Sequence, residues 1–148
     1  MAQIANRTGF TLIEVMIALV IVAIVTSYAL ASYRRYLLRS YRLEAVESLL
    51  TAAAAQERFH LAHGHYSDRL DTAVGDEPPG LQVPSITPQR RYTMTIEFAD
   101  ASVFRIVAAP VTDGGQWHDR DCRQLSIDES GRRQARDSAG NDSTTRCW

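Results

Sequence analysis

The chain has 148 residues, of which 45% are hydrophobic and 22% charged, and its formal net charge is −1. A chain of this length holds a single domain, with room for an appendage. The nearly balanced charge produces no overall field that would favour binding to nucleic acid or to an anionic membrane. All of the basic residues are arginine, which we interpret as a bias of composition rather than as a functional signal.

An apolar segment follows a short polar N-terminus. Residues 10–32 carry a single charged side chain, Glu14, and are long enough to cross a hydrocarbon core of about 30 Å as a helix. An ordinary secretory signal peptide is one alternative, because Ala-Leu-Ala at residues 29–31 matches the small-residue pattern of a cleavage site. The apolar core of such a peptide is, however, normally shorter than this segment. A plain membrane anchor is the other alternative, although the arginines that follow the segment would then favour a cytoplasmic C-terminal side.

The start of this segment resembles a known processing signal. The sequence Gly-Phe-Thr-Leu-Ile-Glu at residues 9–14, followed by the apolar run, is similar to the class III signal of type IV pilins and related pseudopilins. The resemblance implies that a prepilin peptidase cuts after Gly9 and methylates the new N-terminal residue, Phe10. Residues 1–9 would be the leader peptide. Residues 10–33 would anchor the protein in the inner membrane, with its head in the periplasm, before the assembly platform passes it to the pilus on the cell surface.

Glu14 is the costly feature of the apolar segment, because a charge near the centre of a membrane helix costs about 2.5–3.5 kcal/mol. Cleavage after Gly9 would free a positive amine on Phe10, and Glu14 of one subunit would pair with that amine of a neighbour in the filament. The cost of burying the charge would then be relieved only at the correct axial offset. The alternative is that Glu14 extends to the nearby headgroup layer.

Helical signals continue beyond the membrane segment. No Gly or Pro occurs between Phe10 and His63, so one long helix is predicted, with Gly64 as its stop. Its second part, residues 34–63, is amphipathic and is predicted to pack on a head. Apolar side chains near helical spacing there are Leu43, Val46, Leu49, Leu50, Ala53 and Leu61. Four arginines just beyond the apolar segment form a predicted basic collar: Arg34, Arg35, Arg39 and Arg42. The collar would contact solvent, lipid headgroups or acidic neighbours in a filament.

A loop and then strands are predicted for the rest of the chain. Residues 64–90 are rich in Gly and Pro and would form a connecting loop with a short helical turn near residues 67–73. The predicted strands are residues 91–99, with Tyr92, Met94, Ile96 and Phe98 on one face, residues 101–110 after a tight hairpin at Asp100, residues 123–128, and a short strand after a turn at 129–131. Residues 91–148 would thus form an antiparallel sheet packed on the helix, an α+β fold.

Two cysteines, Cys122 and Cys147, lie in the C-terminal quarter. In an exported protein they would form one disulfide, whereas in the cytosol they would be two free thiols. The whole arrangement, with its terminal Cys-Trp, resembles PilE-type minor pilins of Gram-negative type IVa pili. That resemblance implies a type IV pilin fold with a disulfide-bounded C-terminal region. It also implies a low-abundance subunit that primes assembly, with other minor pilins and the major pilin as partners.

Other functions have weaker signals. Three clusters are candidate sites: His60, His63 and His65 for a metal, Asp113, Asp119 and Asp121 for calcium, and Arg132, Arg133 and Arg136 for DNA. The first two lack a complete ligand pattern, and neighbouring acids dilute the third. No catalytic motif occurs. We therefore predict a structural pilus subunit in adhesion and twitching motility, with no enzyme activity, cofactor, small-molecule substrate or confident nucleic-acid partner. The alternatives are a type II secretion pseudopilin and a DNA-binding or adhesive tip pilin.

Overall fold

The computed structural model describes residues 9–72 and 79–148, apart from the side chain of Ala31. Its elements are helix α1 (Leu12–His63), strands β1 (Tyr92–Ala99) and β2 (Phe104–Pro110), a 3₁₀ turn (Gly115–His118), strands β3 (Gln124–Asp128) and β4 (Arg133–Arg136), and helix α2 (Thr144–Cys147). The predicted α+β class, with a long N-terminal helix and an antiparallel sheet, is confirmed. Of the predicted leader, only Gly9 lies within the described residues.

The chain divides after Leu37 into two compact units, an N-terminal unit and a head formed by residues 38–148. In the N-terminal unit, α1 is the one described helix that is long and apolar enough to cross a membrane. Its large apolar side chains are exposed in the isolated chain. A helix that is apolar on all sides needs an environment other than water, either lipid or other helices.

Within the head, α1 buries one face against the sheet. The buried side chains recur every third or fourth residue and are Ala45, Leu49, Ala52, Ala55, Gln56 and Phe59. The predicted apolar face is wrong for Leu43, Leu50 and Leu61, which are all exposed. Small alanine side chains let the helix approach the sheet closely, so the alanine-rich face packs and the leucines remain outside.

The four strands form one antiparallel sheet in the order β1-β2-β3-β4. Its inner face buries Tyr92, Met94, Ile106, Ala108, Leu125 and Ile127. The predicted alternation fails at the end of β1, where the register shifts between Ile96 and Phe98. An extra residue in one strand turns the next side chain to the opposite face, and Phe98 is therefore 43% exposed.

Aspartate side chains accept hydrogen bonds in the two short hairpin connections, β1 to β2 and β3 to β4. Asp100 Oδ1 accepts the backbone N–H groups of Ser102 (2.7 Å) and Val103 (2.9 Å), and these bonds lower the pKa of Asp100. Asp128 Oδ1 accepts the N–H groups of Ser130 and Arg132 in the same way. Because Ala99 pairs with Phe104, the first connection is a wider loop than the tight hairpin predicted from sequence.

The loop after α1 is held by a buried glutamine rather than by its own helical turn. Residues 67–72 contain bends and no helix, and Ala73 lies outside the described residues. Gln56, fully buried in α1, donates from Nε2 to the carbonyl of Ser67 at 2.7 Å and accepts the N–H of Ser67 at 2.9 Å. One side chain thereby satisfies both backbone groups of a buried loop residue.

We expect Gln56→Leu to lower the free energy of unfolding by about 2–4 kcal/mol, because it leaves two buried backbone groups of Ser67 without partners. Chemical denaturation of the full chain in detergent, followed by circular dichroism, measures the change. Arg58→Gln, two positions along the helix and exposed, is the control and should change stability by less than about 0.5 kcal/mol. Equal stability of the two variants would contradict this account.

Irregular segments lie along both outer strands of the sheet. Beside β1, the N–H of Thr87 donates to the carbonyl of Tyr92 at 3.0 Å, and the N–H of Met94 donates to that of Ser85 at 2.6 Å. Beside β4, the N–H of Ser143 donates to the carbonyl of Ala135 at 2.9 Å. The terminal Trp148 indole donates to the carbonyl of Gln134 at 2.9 Å.

A disulfide fastens this C-terminal tail. Cys122, just before β3, and Cys147, in α2, are both buried and are bonded to each other, with their Cα atoms 5.8 Å apart. The C-terminal region is therefore disulfide-bounded, as predicted. Every cysteine of the chain is used in this bond.

Candidate functional site

The residues around the expected processing point lie in non-helical chain. Gly9 and Phe10 are exposed and precede the first helical residue, Leu12. Among residues 9–72 and 79–148, no atom lies within 4 Å of a Cβ atom built on Gly9. This part of the fold therefore gives no steric reason for a glycine at this position. An accessible, non-helical segment also has the form in which a peptidase can bind its substrate.

Glu14 has a local role at the start of α1. The N–H of Glu14 donates to the Thr11 hydroxyl at 3.3 Å and to the Thr11 carbonyl at 3.1 Å, so Thr11 acts as the N-terminal cap. Thr-x-x-Glu is the capping-box sequence, and a carboxylate in the first turn is favoured by the helix dipole. Glu14 is exposed in the isolated chain. Its carboxylate is therefore accessible to a partner from another chain.

One residue of the predicted basic collar, Arg42, is buried and does not belong to a surface collar. Arg34, Arg35 and Arg39 are exposed, but Arg42 is buried in the head. The Arg42 guanidinium donates from Nε and Nη2 to the two carboxylate oxygens of Asp119, at 2.6 and 2.7 Å. This paired geometry is the strongest form of an arginine–carboxylate contact. It makes Arg42 a structural residue of the head rather than a surface charge.

The ion pair is part of a buried polar network that ties α1 to the 3₁₀ turn. Gln116 Nε2 donates to Asp119 Oδ2 at 3.0 Å and to the Tyr92 hydroxyl at 2.8 Å. Burial, and next the negative charge of Asp119, raise the pKa of Tyr92, which keeps its hydroxyl neutral. Asp119 is thus used by Arg42 and Gln116. A second residue of the predicted calcium cluster, Asp121, pairs with Arg146 at 3.0 Å.

The histidines near the end of α1 form an aromatic cluster. The rings of Phe59 and His63 stack with centroids 4.1 Å apart, and those of His60 and Tyr66 stack at 4.4 Å. One ring nitrogen of each of His60, His63 and His65 lies 3.1 Å from a backbone carbonyl. Among the residues that the structure describes, no three His, Cys, Asp or Glu side chains are placed to hold a metal ion.

The predicted arginine cluster is split between the two faces of the sheet. Arg132 lies 4.0 Å from the Asp128 carboxylate, and the Arg133 guanidinium lies over the Trp148 ring at 5.4 Å. Arg136 lies on the opposite, outer face, because side chains alternate along β4 and Ala135 points into the core. The three arginines therefore do not form a common patch.

The outer face of the sheet carries a different basic surface, a shallow groove of about 240 Å³. Its polar lining residues are Glu97, Arg105, Gln124, Ser126, Gln134 and Arg136. Arg105 pairs with Glu97 at 3.4 Å, and both are partly exposed. Two guanidinium groups with amides between them can bind an anionic ligand that also offers hydrogen-bonding groups. Sequence reasoning missed this groove because its residues come from four different strands.

Comparison with known proteins gives the family of the chain. Residues 31–126 match the family model described as "Type IV minor pilin ComP, DNA uptake sequence receptor". Residues 4–30 match the model of the prokaryotic N-terminal methylation motif. The methylation model covers the Gly-Phe-Thr-Leu-Ile-Glu sequence at residues 9–14, and the minor pilin model covers most of the head.

Curated relatives include type IV major pilin proteins PilE1 of Neisseria gonorrhoeae. One is 28% identical over 94% of this chain and 64% of its own length. Another is 35% identical over 49% of this chain and 44% of its own length. The chain thus spans less than two thirds of the length of the curated relatives it matches.

Two solved structures match part of the chain. The minor pilin PilV of Neisseria meningitidis has a TM-score of 0.48 and 18% identity, and the match covers 67% of this chain and 87% of PilV. A type IV pilin of Shewanella oneidensis has a TM-score of 0.46 and 24% identity, and the match covers 75% of this chain and 97% of that pilin. Because the family model covers well over half of the sequence, the chain belongs to the ComP family of type IV minor pilins.

Proposed function

We propose that the chain is a minor pilin that primes the assembly of a type IV pilus and is incorporated into it. The observation that carries this proposal is the exposed apolar part of α1, preceded by accessible residues Gly9 and Phe10. Prepilin peptidase cuts after Gly9 and methylates Phe10. The protein waits in the inner membrane with its head in the periplasm, and the assembly platform then moves it into a pilus of minor and major pilins.

Cleavage places a new charge next to an existing one. The freed Phe10 amine lies just before the cap of α1, and Glu14 lies in its first turn. Within one filament these two groups neutralise each other between neighbouring subunits, because an unpaired charge among apolar helices is costly. Glu14 therefore selects the axial offset at which a subunit enters the filament.

We expect Glu14→Val to reduce the amount of this pilin in sheared pili by about tenfold, while cleavage after Gly9 continues. Quantitative mass spectrometry of pili and membranes measures both. The matched control is Ser27→Ala, which also removes a polar group from the apolar segment of α1. The Ser27 hydroxyl donates to the carbonyl of Ile24 within the same helix.

Two results would contradict this proposal. Glu14→Val at the wild-type level in pili would remove the pairing role of Glu14. An intact mass that begins at Ser32 rather than at methylated Phe10 would mean an ordinary signal peptide, and the pilus function would fail with it. A role as a type II secretion pseudopilin is disfavoured because the matching family model describes minor pilins.

A second candidate function is recognition of DNA by the head. The family description names a DNA uptake sequence receptor, and the outer groove of the sheet supplies two arginines, Arg105 and Arg136, with amides between them. Guanidinium groups neutralise phosphates, and glutamine amides can hydrogen-bond base edges. The balanced net charge of −1 means that any such binding depends on this local surface rather than on the overall field.

We expect Arg105→Gln with Arg136→Gln to weaken binding of the full chain to a duplex carrying a DNA uptake sequence by at least tenfold. Each lost phosphate contact should also reduce the slope of log K against log salt by about 0.9. Fluorescence anisotropy in detergent at several salt concentrations measures both quantities. Arg58→Gln, at an exposed position on α1, is the matched control, and unchanged affinity of the double variant would exclude this surface.

A further inference from the structure

A groove of about 470 Å³ lies within the head, between α1 and the loop that precedes β1. The helix side consists of Glu44, Glu47, Ser48 and Thr51, and the opposite side consists of Val83, Pro84, Ile86, Thr87, Pro88, Arg90 and Met94. The loop side is mostly apolar, whereas the helix side carries two carboxylates. The groove shares no residue with the processing signal at residues 9–14 or with the groove on the outer face of the sheet.

Glu44 has one carboxylate oxygen in use and one without a partner. Its Oε1 accepts the N–H of Gln89 at 2.7 Å. Its Oε2 is buried from solvent and has no hydrogen-bond partner in the part of the chain that the structure describes. Because this oxygen is inaccessible from outside, Glu44 contributes its negative charge to the groove but offers no free acceptor to a partner.

Glu47, one helical turn further along, adds a second charge at the rim. It is exposed and has no arginine within 4.0 Å among residues 9–72 and 79–148. Arg90, on the far rim, is likewise not within ion-pair distance of either glutamate. Leu43 and Leu50 lie four residues before and three residues after Glu47, so this helix face offers exposed apolar side chains beside the carboxylate.

The groove is held in a fixed shape before any partner arrives. The backbone bonds from Met94 to Ser85 and from Thr87 to Tyr92 fasten its loop side to β1. The Thr87 hydroxyl also accepts the N–H groups of Arg91 and Tyr92. Two prolines restrict the remaining loop residues. A preformed site loses little conformational entropy on binding.

The chemistry that fits this groove is a helix carrying both guanidinium and aromatic groups. The chain itself shows such a segment, Tyr33–Arg39, in which Arg34 and Arg39 are exposed and have no carboxylate within 4.0 Å in the described ranges. Tyr33 and Tyr36 of the same segment are also exposed. Arginine matches a carboxylate with two parallel hydrogen bonds, and tyrosine covers apolar surface.

We propose that the groove binds the arginine- and tyrosine-bearing helix segment of a neighbouring pilin, with an arginine donating to the exposed carboxylate of Glu47. This inference rests on the proposed function, because the neighbour is met only in a filament. It adds a second point of registration between subunits, formed by the head and independent of Glu14. Charge complementarity between the acidic rim and the basic segment supports a pilin partner.

The test places a photo-reactive amino acid at position 51 of the full chain in pilus-producing cells, because Thr51 lines the groove, is exposed and leaves both glutamates in place. Sheared pili are first assayed for this pilin and then irradiated, and the cross-linked peptides are identified by mass spectrometry. We expect cross-links to the arginine-bearing segment of a neighbouring pilin helix. A pilin present in pili but cross-linked only elsewhere, or to nothing, overturns the groove proposal alone. Absence of the pilin from pili, in wild type and variant alike, overturns the proposed function and this inference with it.

Charge variants give an independent measurement. Glu47→Arg should lower the amount of this pilin in pili by about tenfold, and Glu44→Gln, which keeps the acceptor for Gln89, should lower it less. Asp113→Arg makes the same charge reversal at an exposed position away from the groove and is the control. Thermal unfolding of each variant shows whether it is folded. Folded Glu47→Arg at the wild-type level in pili would contradict the proposal.

Discussion

Replacing Asp119 by alanine should lower the free energy of unfolding of the head by about 3–5 kcal/mol. The Asp119 side chain is 2% exposed and that of Arg42 is 10% exposed. Removal of the carboxylate therefore leaves a guanidinium buried without its counter-charge, and Gln116 also loses an acceptor. Arg42→Ala should have a similar effect, since it leaves the carboxylate unpaired. Denaturant unfolding of the full chain in detergent, monitored by tryptophan fluorescence, measures both.

The matched control is Asp121→Ala. Asp121 also pairs with an arginine, Arg146, at 3.0 Å, but both side chains are more than half exposed, and exposed pairs contribute about 0–1 kcal/mol. The double variant Arg42→Met with Asp119→Leu should recover most of the loss, because no buried charge remains. If Asp119→Ala and Asp121→Ala had equal effects, the network would not be a major source of stability.

Removing the disulfide, as Cys122→Ala with Cys147→Ala, should destabilise the head by about 3–4 kcal/mol. The bond closes a loop with a sequence separation of 25 residues, and the chain-entropy model gives this magnitude for a loop of that size. For a small domain, whose total stability is about 5–15 kcal/mol, that is a large fraction. Folding of this variant at the physiological temperature should therefore become marginal.

Unfolding of the wild type with and without reductant provides the measurement. Reduced wild type should match the double alanine variant, because both lose the same cross-link, and the variant itself should not respond to reductant. A wild-type unfolding curve that is unchanged by full reduction would show that the tail is held by its other contacts alone.

Local signals in the sequence were sufficient to predict where α1 ends and where the two short hairpin connections lie. The absence of Gly and Pro from residues 10–63 predicts a helix that ends at His63, and Gly64 has a φ of +75°, as expected for a residue that ends a helix. The Asp-x-Ser sequences at residues 100–102 and 128–130 coincide with the two hairpin connections. Such features depend on neighbouring residues only.

Long-range contacts account for what could not be predicted. Arg42 has the same charge as the other members of the predicted collar, and its burial depends on Asp119, 77 residues away. Likewise, the helix face that packs is decided by the sheet it meets, which favours alanine over leucine. The split of Arg133 from Arg136 follows from strand alternation, and applying that rule to β4 would have separated them from sequence alone.

The irregular segments beside β1 and β4 cover both edges of the sheet. Outer strands with free backbone groups are templates for pairing with other chains, which leads to aggregation. Here residues 85–87 occupy one edge and the disulfide-fastened tail occupies the other. Under the proposed function, subunits would join through their helices without also joining sheet to sheet, so filament assembly would meet little competition from amyloid-like assembly.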